Sequence, residues 1–510
     1  MKIGYLIGAL LTGHLLLPCA ARGQDTTSAA RPPADTTTAD TISADPDTVA
    51  AADSAGRPAA RPGSPAAATT AADSALAAEV LRELVAVRTV SASPATVEAA
   101  RMLAARLHAA GYSEEDALVT GPHDSAGNLV VRLRGQSSDS LLLLIAHLDV
   151  VDALASDWST DPFTLTEDDG WWYGRGTLDN KTGVAVAVTN LIRWKRDGFV
   201  PAHDILFIAT ADEETSSESI KWFMNGDGWR YIGEPSYALN LDVGGGAVVD
   251  DREVMLFVQT SEKIYASFAL EVTNAGGHSS QPRPDNAIYT LARALGRIER
   301  HRFPVQLTDA TRLYLERMAE YQPDSARAAA MRAVAANPAD TAAANVISAV
   351  PVYNATIRTT CVATRVQAGH ADNALPQTAR AIVNCRLIPG TDPAAMPDVL
   401  AEIVADTSVH IAAVGNQTPS PPSPVEPRIF GAIERLAGEF WPGVRVIPSM
   451  STGATDGLYV RAEGINVYGA DAVFQSSGDS RAHGRDERIE IRRFYENLAW
   501  WKRLVEELTK

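Results

Sequence analysis

Basic residues are in deficit: 45 Lys and Arg stand against 62 Asp and Glu, a formal net charge of -17. That balance excludes nucleic acid and anionic membrane surfaces as partners, since both are bound through positive fields. Large apolar side chains are almost missing from Gln24 to Ser74, where Ile42 and Val49 are the only large aliphatics and no aromatic occurs. Such a stretch cannot bury enough surface to offset the entropy of ordering, so residues 24–74 are expected to form a flexible Ala/Thr/Pro/Asp-rich tether. The apolar run Ile3 to Leu17 is interrupted by Gly13 and His14 and falls short of the roughly 20 residues that a membrane span needs. With Lys2 before it and Ala21-Arg22-Gly23 after it, residues 1–23 read as a signal peptide and the chain as exported, periplasmic or secreted. The alternative is a lipoprotein anchored at Cys19, which would be its one route to a membrane. Cysteine is scarce, three in all, and cleavage leaves Cys361 and Cys385, either paired in an oxidising compartment or buried as free thiols. No internal repeat is present.

Order is expected to begin at Asp73 or Ser74, an N-cap for a helix with the stripe Leu76, Val80, Leu84 and Val87. A second helix starts at Ser93-Pro94 and stops at Gly111. Short apolar runs of the buried-strand kind follow at Leu129 to Leu133, Leu141 to Ala146, Ile205 to Ala209 and Tyr237 to Leu241, with a helical run at Val184 to Trp194. This alternation predicts an α/β sandwich around a largely parallel sheet.

The pattern changes near Ser261. Ala266, Phe268, Leu270 and Val272 alternate as in a strand covered on one face, helices are expected at Asn286 to Glu299 and Ala310 to Ala335, and strands around Ala355 to Thr364 and Ala379 to Leu387. Residues 262–416 are therefore expected to be an inserted α+β unit. The Pro-rich Thr418 to Pro427 marks the return, followed by a helix at Ile429 to Phe440 and a strand at Val444 to Pro448, so that residues 75–261 and 417–510 make up one catalytic domain.

The chemistry collects where strands end. His147 and Asp149 lie at the carboxyl end of a buried strand, at period two, where open α/β sheets bind ligands. Gly174-Arg175-Gly176-Thr177-Leu178-Asp179 delivers an acid just before a helix, although a glycine turn with an Asp N-cap would read the same. Three acids in a row, Asp212-Glu213-Glu214, repel unless a cation or solvent separates them. Asp242 repeats the pattern of strand, acid and glycine, and His483 adds a second imidazole in a polar loop. Two histidines and several carboxylates suit paired Zn, Co or Mn.

These segments, in this order from Ala75 to the C-terminus, resemble the zinc metallopeptidases of clan MH, family 20, a group that includes carboxypeptidases, dipeptidases, aminoacylases and succinyl-diaminopimelate desuccinylases. The resemblance implies a zinc-exopeptidase-like α/β/α catalytic domain with an α+β lid of the dimerisation type, and two Zn(II) per chain. It implies that His147, Asp179 and Asp242 hold one ion and Asp179, Glu214 and His483 the other, with Asp179 bridging. Glu213 matches the general base that accepts a proton from the bridging water, and Asp149 the acid behind the first histidine. His278, in Asn274-Ala275-Gly276-Gly277-His278, matches a lid histidine that stabilises the oxyanion from its own chain or from a dimer partner. Asn373 and Arg386 match lid residues that hold a substrate carboxylate, for which a guanidinium is well shaped, although Arg386 alone would read equally as a surface ion pair. Thr455 and Asp456 match a substrate-binding loop, with Ala454 a departure from it; Asn180 after the bridging acid and Val243-Gly244 after Asp242 are further departures that remove no ligand.

The expected activity is hydrolysis of an amide near a free carboxylate by a carboxypeptidase or dipeptidase acting on short peptides. Water is the nucleophile, so no acyl-enzyme is expected. An N-acyl amino acid amidohydrolase is the alternative. A noncatalytic binding protein on the same fold is the competing class, and the retention of Glu213 beside a complete ligand set argues against it.

Overall fold

The computed structural model describes residues 69–510 apart from 91–93 and 477. The expected signal peptide, the Cys19 anchor and the tether up to residue 68 lie outside the described residues. The first helix, Ala71–Ala86, begins earlier than the sequence suggested, because Thr70 is its N-cap and accepts the Asp73 N–H. Asp73 is instead buried in the first turn, where Arg193 at 3.1 Å and Arg196 at 2.8 Å neutralise it.

Eight strands form the main sheet, in the order Ala117–Thr120, Asn128–Leu133, His203–Thr210, Ser137–His147, Pro235–Val249, Val467–Ser476, Arg252–Glu262, Arg445–Ser451. Its centre is parallel. The expectation of a largely parallel sheet needs correcting to a mixed one, since Ala117–Thr120 and Asn128–Leu133 run antiparallel at one edge and Arg252–Glu262 folds back on Pro235–Val249. That hairpin turns through Asp250 and Asp251, both at positive φ (50° and 59°), a conformation aspartate tolerates better than most residues.

Helices cover both faces. On one, the helices Ala71–Ala86, Ala95–Ala109, Lys181–Arg196, Pro427–Phe440 and Ile491–Leu508 build the largest core. On the other, Ile220, Phe223 and Val460 pack against Leu143, Leu206 and Ile208.

The second sheet has four antiparallel strands, in the order Thr360–Ala368, Thr378–Leu387, Ile264–Thr273, His410–Val414. Phe268, Leu270 and Val272 face helices Ala287–Arg300 and Met396–Val404, as the period-two pattern requires. Cys361 and Cys385 sit directly opposite each other in this sheet and are joined as a disulfide. Replacing both with serine should cost about 3 kcal/mol for a loop of this length, read as a lower denaturation midpoint.

Three expectations in the inserted stretch need correcting. The single helical run Ala310 to Ala335 is two helices, Asp309–Met318 and Ser325–Ala336, parted at Pro323, with Asp324 capping the second. The strand expected from Ala355 begins at Thr360, because Pro351 opens a helix over Pro351–Ile357. Most consequentially, residues 262–416 do not share one core: Leu315, Met331, Ile347 and Tyr353 pack on Met255, Phe257 and Ile447 of the main sheet.

Candidate metal centre

Three neighbouring parallel strands carry the site at their carboxyl ends. His147 closes Ser137–His147, Asp212 to Glu214 follow His203–Thr210, and Asp242 lies on Pro235–Val249 just beyond its pairing with Ser137–His147. Loops bring the other two members, Asp179 immediately before helix Lys181–Arg196 and His483 from the segment that precedes Arg488–Glu490.

The five side chains form two triads. Ligand atoms of His147, Asp179 and Asp242 lie within 4.8 Å of one another, and so do those of Asp179, Glu214 and His483. Asp179 belongs to both, with Oδ1 at 2.9 Å from His147 Nε2 and Oδ2 at 3.0 Å from His483 Nε2. His147 Nε2 is 3.3 Å from Asp242, and His483 Nε2 is 3.0 Å from Glu214. The Asp179–Asn180 peptide is cis.

The electrostatics show what such a cluster lacks. Burial pushes the Glu213 carboxyl well above its usual range, and Asp242, Asp456 and Glu214 add to it against the opposing pull of His147. Burial likewise raises Glu214 and Asp242. Burial also opposes the ionisation of Asp179, but its hydrogen bonds with His147 and His483 outweigh that and hold it far below the usual range. Hydrogen bonds to Asp179 and Glu214 push His483 up to about 10. Two imidazoles thus stand among four packed carboxylates, and the mixed N and O donors fit borderline or hard divalent cations, which would supply the missing positive charge.

Around the triads, buried acids hold the loops. Asp149 accepts the N–H groups of Glu213 and Glu214, both at 3.1 Å, and its carbonyl lies 3.0 Å from His147 Nδ1, so one residue fixes both the ring and the acidic loop. Glu487 was not singled out by sequence reasoning. Fully buried, it accepts from Arg175 at 2.7 Å and from the backbone N–H groups of Gly176, Leu178 and Asp179. Arg175 also donates to the Gly484 carbonyl at 3.0 Å, which locks the Asp179 loop to the His483 loop. Asp212, the first of the three acids, instead caps helix Glu218–Asn225 through the N–H groups of Glu218 and Ser219.

The remaining predicted residues divide. Thr455 and Asp456 turn inward: the Thr455 hydroxyl donates to buried Glu262 at 2.7 Å and accepts from Asn240 and Gly457. Asp456 accepts from Thr210 Oγ1 at 2.5 Å and is pushed up to about 8 by burial. Glu262 itself is saturated by Arg461, Gln259 and Thr455. His278 is exposed on a two-residue ribbon, Gly277–His278 against Ala374–Leu375, with Nδ1 2.7 Å from Ser280 Oγ, and the neighbouring Asn373 carbonyl accepts from Ser279. Among the described residues no hydrogen bond or ion pair ties His278 or Asn373 to the triads. Arg386 donates to the Thr452 carbonyl at 3.3 Å and lies over the Tyr265 ring, and it has no carboxylate partner among the described residues. The equal alternative for Arg386, a surface ion pair, is therefore not what the structure contains.

Several known proteins are similar to this chain in sequence or fold. The model for peptidase family M20/M25/M40 matches residues 143–507, more than half of the chain. The human N-fatty-acyl-amino acid synthase/hydrolase PM20D1 is 28% identical over 377 residues, covering 70% of this chain and 73% of that protein. A probable carboxypeptidase S-like 2 of Dictyostelium discoideum is 27% identical over 380 residues, 72% of each. Among solved structures, the M20 family metallo-carboxypeptidase Sso-CP2 of Sulfolobus solfataricus shares the fold with a TM-score of 0.63 at 17% identity, over 85% of this chain and 99% of that one.

Proposed function

The chain belongs to peptidase family M20/M25/M40, and from that premise we propose that it is a dinuclear zinc hydrolase that cuts an amide beside a free carboxylate, as a carboxypeptidase or dipeptidase. The observation that carries this reading is Asp179, whose two oxygens each reach a different triad while Glu213 stands beside both without belonging to either. His147, Asp179 and Asp242 would hold one cation, and Asp179, Glu214 and His483 the other; Co or Mn suits the same donors. Such cations, when bound, polarise the scissile carbonyl and make water acidic enough to attack near neutral pH.

The chain's own groups do the rest. Glu213 takes the proton of the attacking water and hands it to the leaving nitrogen, a task suited to a carboxyl whose pKa burial has raised. Asp149 keeps the His147 ring and the Glu213 backbone in register. Arg386, a cation without a protein carboxylate, receives the substrate carboxylate. His278 stabilises the developing oxyanion when the lid is closed, from its own chain or a second copy docked through the lid. We place the enzyme outside the cytoplasm on the strength of its first 23 residues.

A second reading, hydrolysis of N-acyl amino acids, draws on the PM20D1 relatives and on an acetylornithine deacetylase of Proteus mirabilis, 29% identical over 209 residues. A panel of free dipeptides, N-terminally blocked peptides and N-acyl amino acids, assayed with and without chelator, separates the two. Cleavage that survives complete removal of metal would overturn both.

Cation uptake should also be linked to protons. His483 sits at about 10 in the ion-free protein and His147 well above its usual value, whereas a metal binds only neutral imidazole. Binding at neutral pH should therefore release protons, and affinity should climb as pH rises toward 10. Calorimetric titration in buffers of different ionisation enthalpy measures the release; a result of no protons exchanged would contradict it.

A further inference from the structure

Arg386 occupies a face of the lid sheet that the small core leaves uncovered. Its neighbours along strand Thr378–Leu387, Cys385 and Leu387, point into the core, so Arg386 points away from it, as does Tyr265 directly opposite on Ile264–Thr273. The main chain here has little freedom, because the ladder pairs it on both sides and the buried Lys263 ammonium donates to the Arg386 carbonyl at 3.1 Å. The direction of the long side chain is left to two contacts. One is the Thr452 carbonyl at 3.3 Å, and the other is the half-exposed Tyr265 ring, whose centroid lies 4.7 Å from the guanidinium carbon.

These contacts differ in what they use. A carbonyl occupies an edge N–H of the guanidinium, whereas an aromatic face attracts the cation without consuming any donor. The stack therefore restrains the plane while leaving edge donors free for a bidentate carboxylate.

We propose that Tyr265 is a positioning residue that fixes the guanidinium plane of Arg386 for the substrate carboxylate. This rests on the carboxylate reading above. The test uses the full metal-loaded chain and whichever of glycyl-leucine and N-acetyl-leucine it turns over, with the carboxamide of the same compound as a competing ligand.

Tyr265→Leu, which keeps apolar bulk and removes the ring, should raise KM by about 3- to 30-fold and leave kcat within about twofold. The inhibition constant of the carboxamide should not move, since that ligand offers no anion. Tyr265→Phe should match the unsubstituted enzyme, because the ring and not the hydroxyl faces the cation. In an Arg386→Ala background, Tyr265→Leu should have no further effect on KM. The proposal is overturned if Tyr265→Leu weakens the carboxamide as much as the acid, or if its effect persists without Arg386. Should Arg386→Ala itself leave KM unchanged, the carboxylate reading fails first and Tyr265 has nothing to position.

Discussion

Glu213→Gln is expected to lower kcat by about 10²- to 10⁴-fold, the range for removing a general acid–base group. KM and metal content should stay near those of the unsubstituted enzyme, because Glu213 is in neither ligand triad. Folding gives a second readout. A neutral amide of nearly the same shape fills the same space, so it should not lower the melting temperature. Loss of activity with intact metal content and intact stability would isolate the proton-transfer role. Unchanged turnover in a variant holding both ions would remove Glu213 from the mechanism.

The second large effect belongs to Asp179. Its replacement by alanine takes one oxygen from each triad, so both cations should be lost together and activity should fall to that of the chelated enzyme. Asp242→Ala touches a single triad and should spare the ion held by Asp179, Glu214 and His483. Metal analysis of the two variants after dialysis provides the comparison. Retention of one ion by Asp179→Ala would mean that the triads are independent sites and not a bridged pair.

What the sequence disclosed and what it hid follow from where the information lies. His147, Asp179, Glu214 and Asp242 stand at the ends of apolar runs or beside glycines, local patterns that can be read without knowing the fold. Glu487 and Arg175 are 312 positions apart, and nothing near either one announces that two charges will be buried against each other. The same holds for Glu262 and Arg461, which draw Thr455 inward and give it a structural task. The hairpin at Asp250-Asp251 was hidden for another reason. Strand Pro235–Val249 runs on well past Asp242 through a glycine-rich stretch that reads as a strand end. The four helices from Asp309 to Ile357 show periodicity but carry no mark of which sheet they will cover.

Those helices bear on anyone wishing to cut the chain back to its metal centre, without the sheet that carries Arg386. A single excision from 262 to 416 would strip Met255, Phe257 and Ile447 of their cover, and the remnant would display a greasy flank prone to self-association. Trimming would need at least two separate deletions, one on either side of the Asp309 to Ile357 stretch, so that this piece stays attached while the four-stranded sheet is removed.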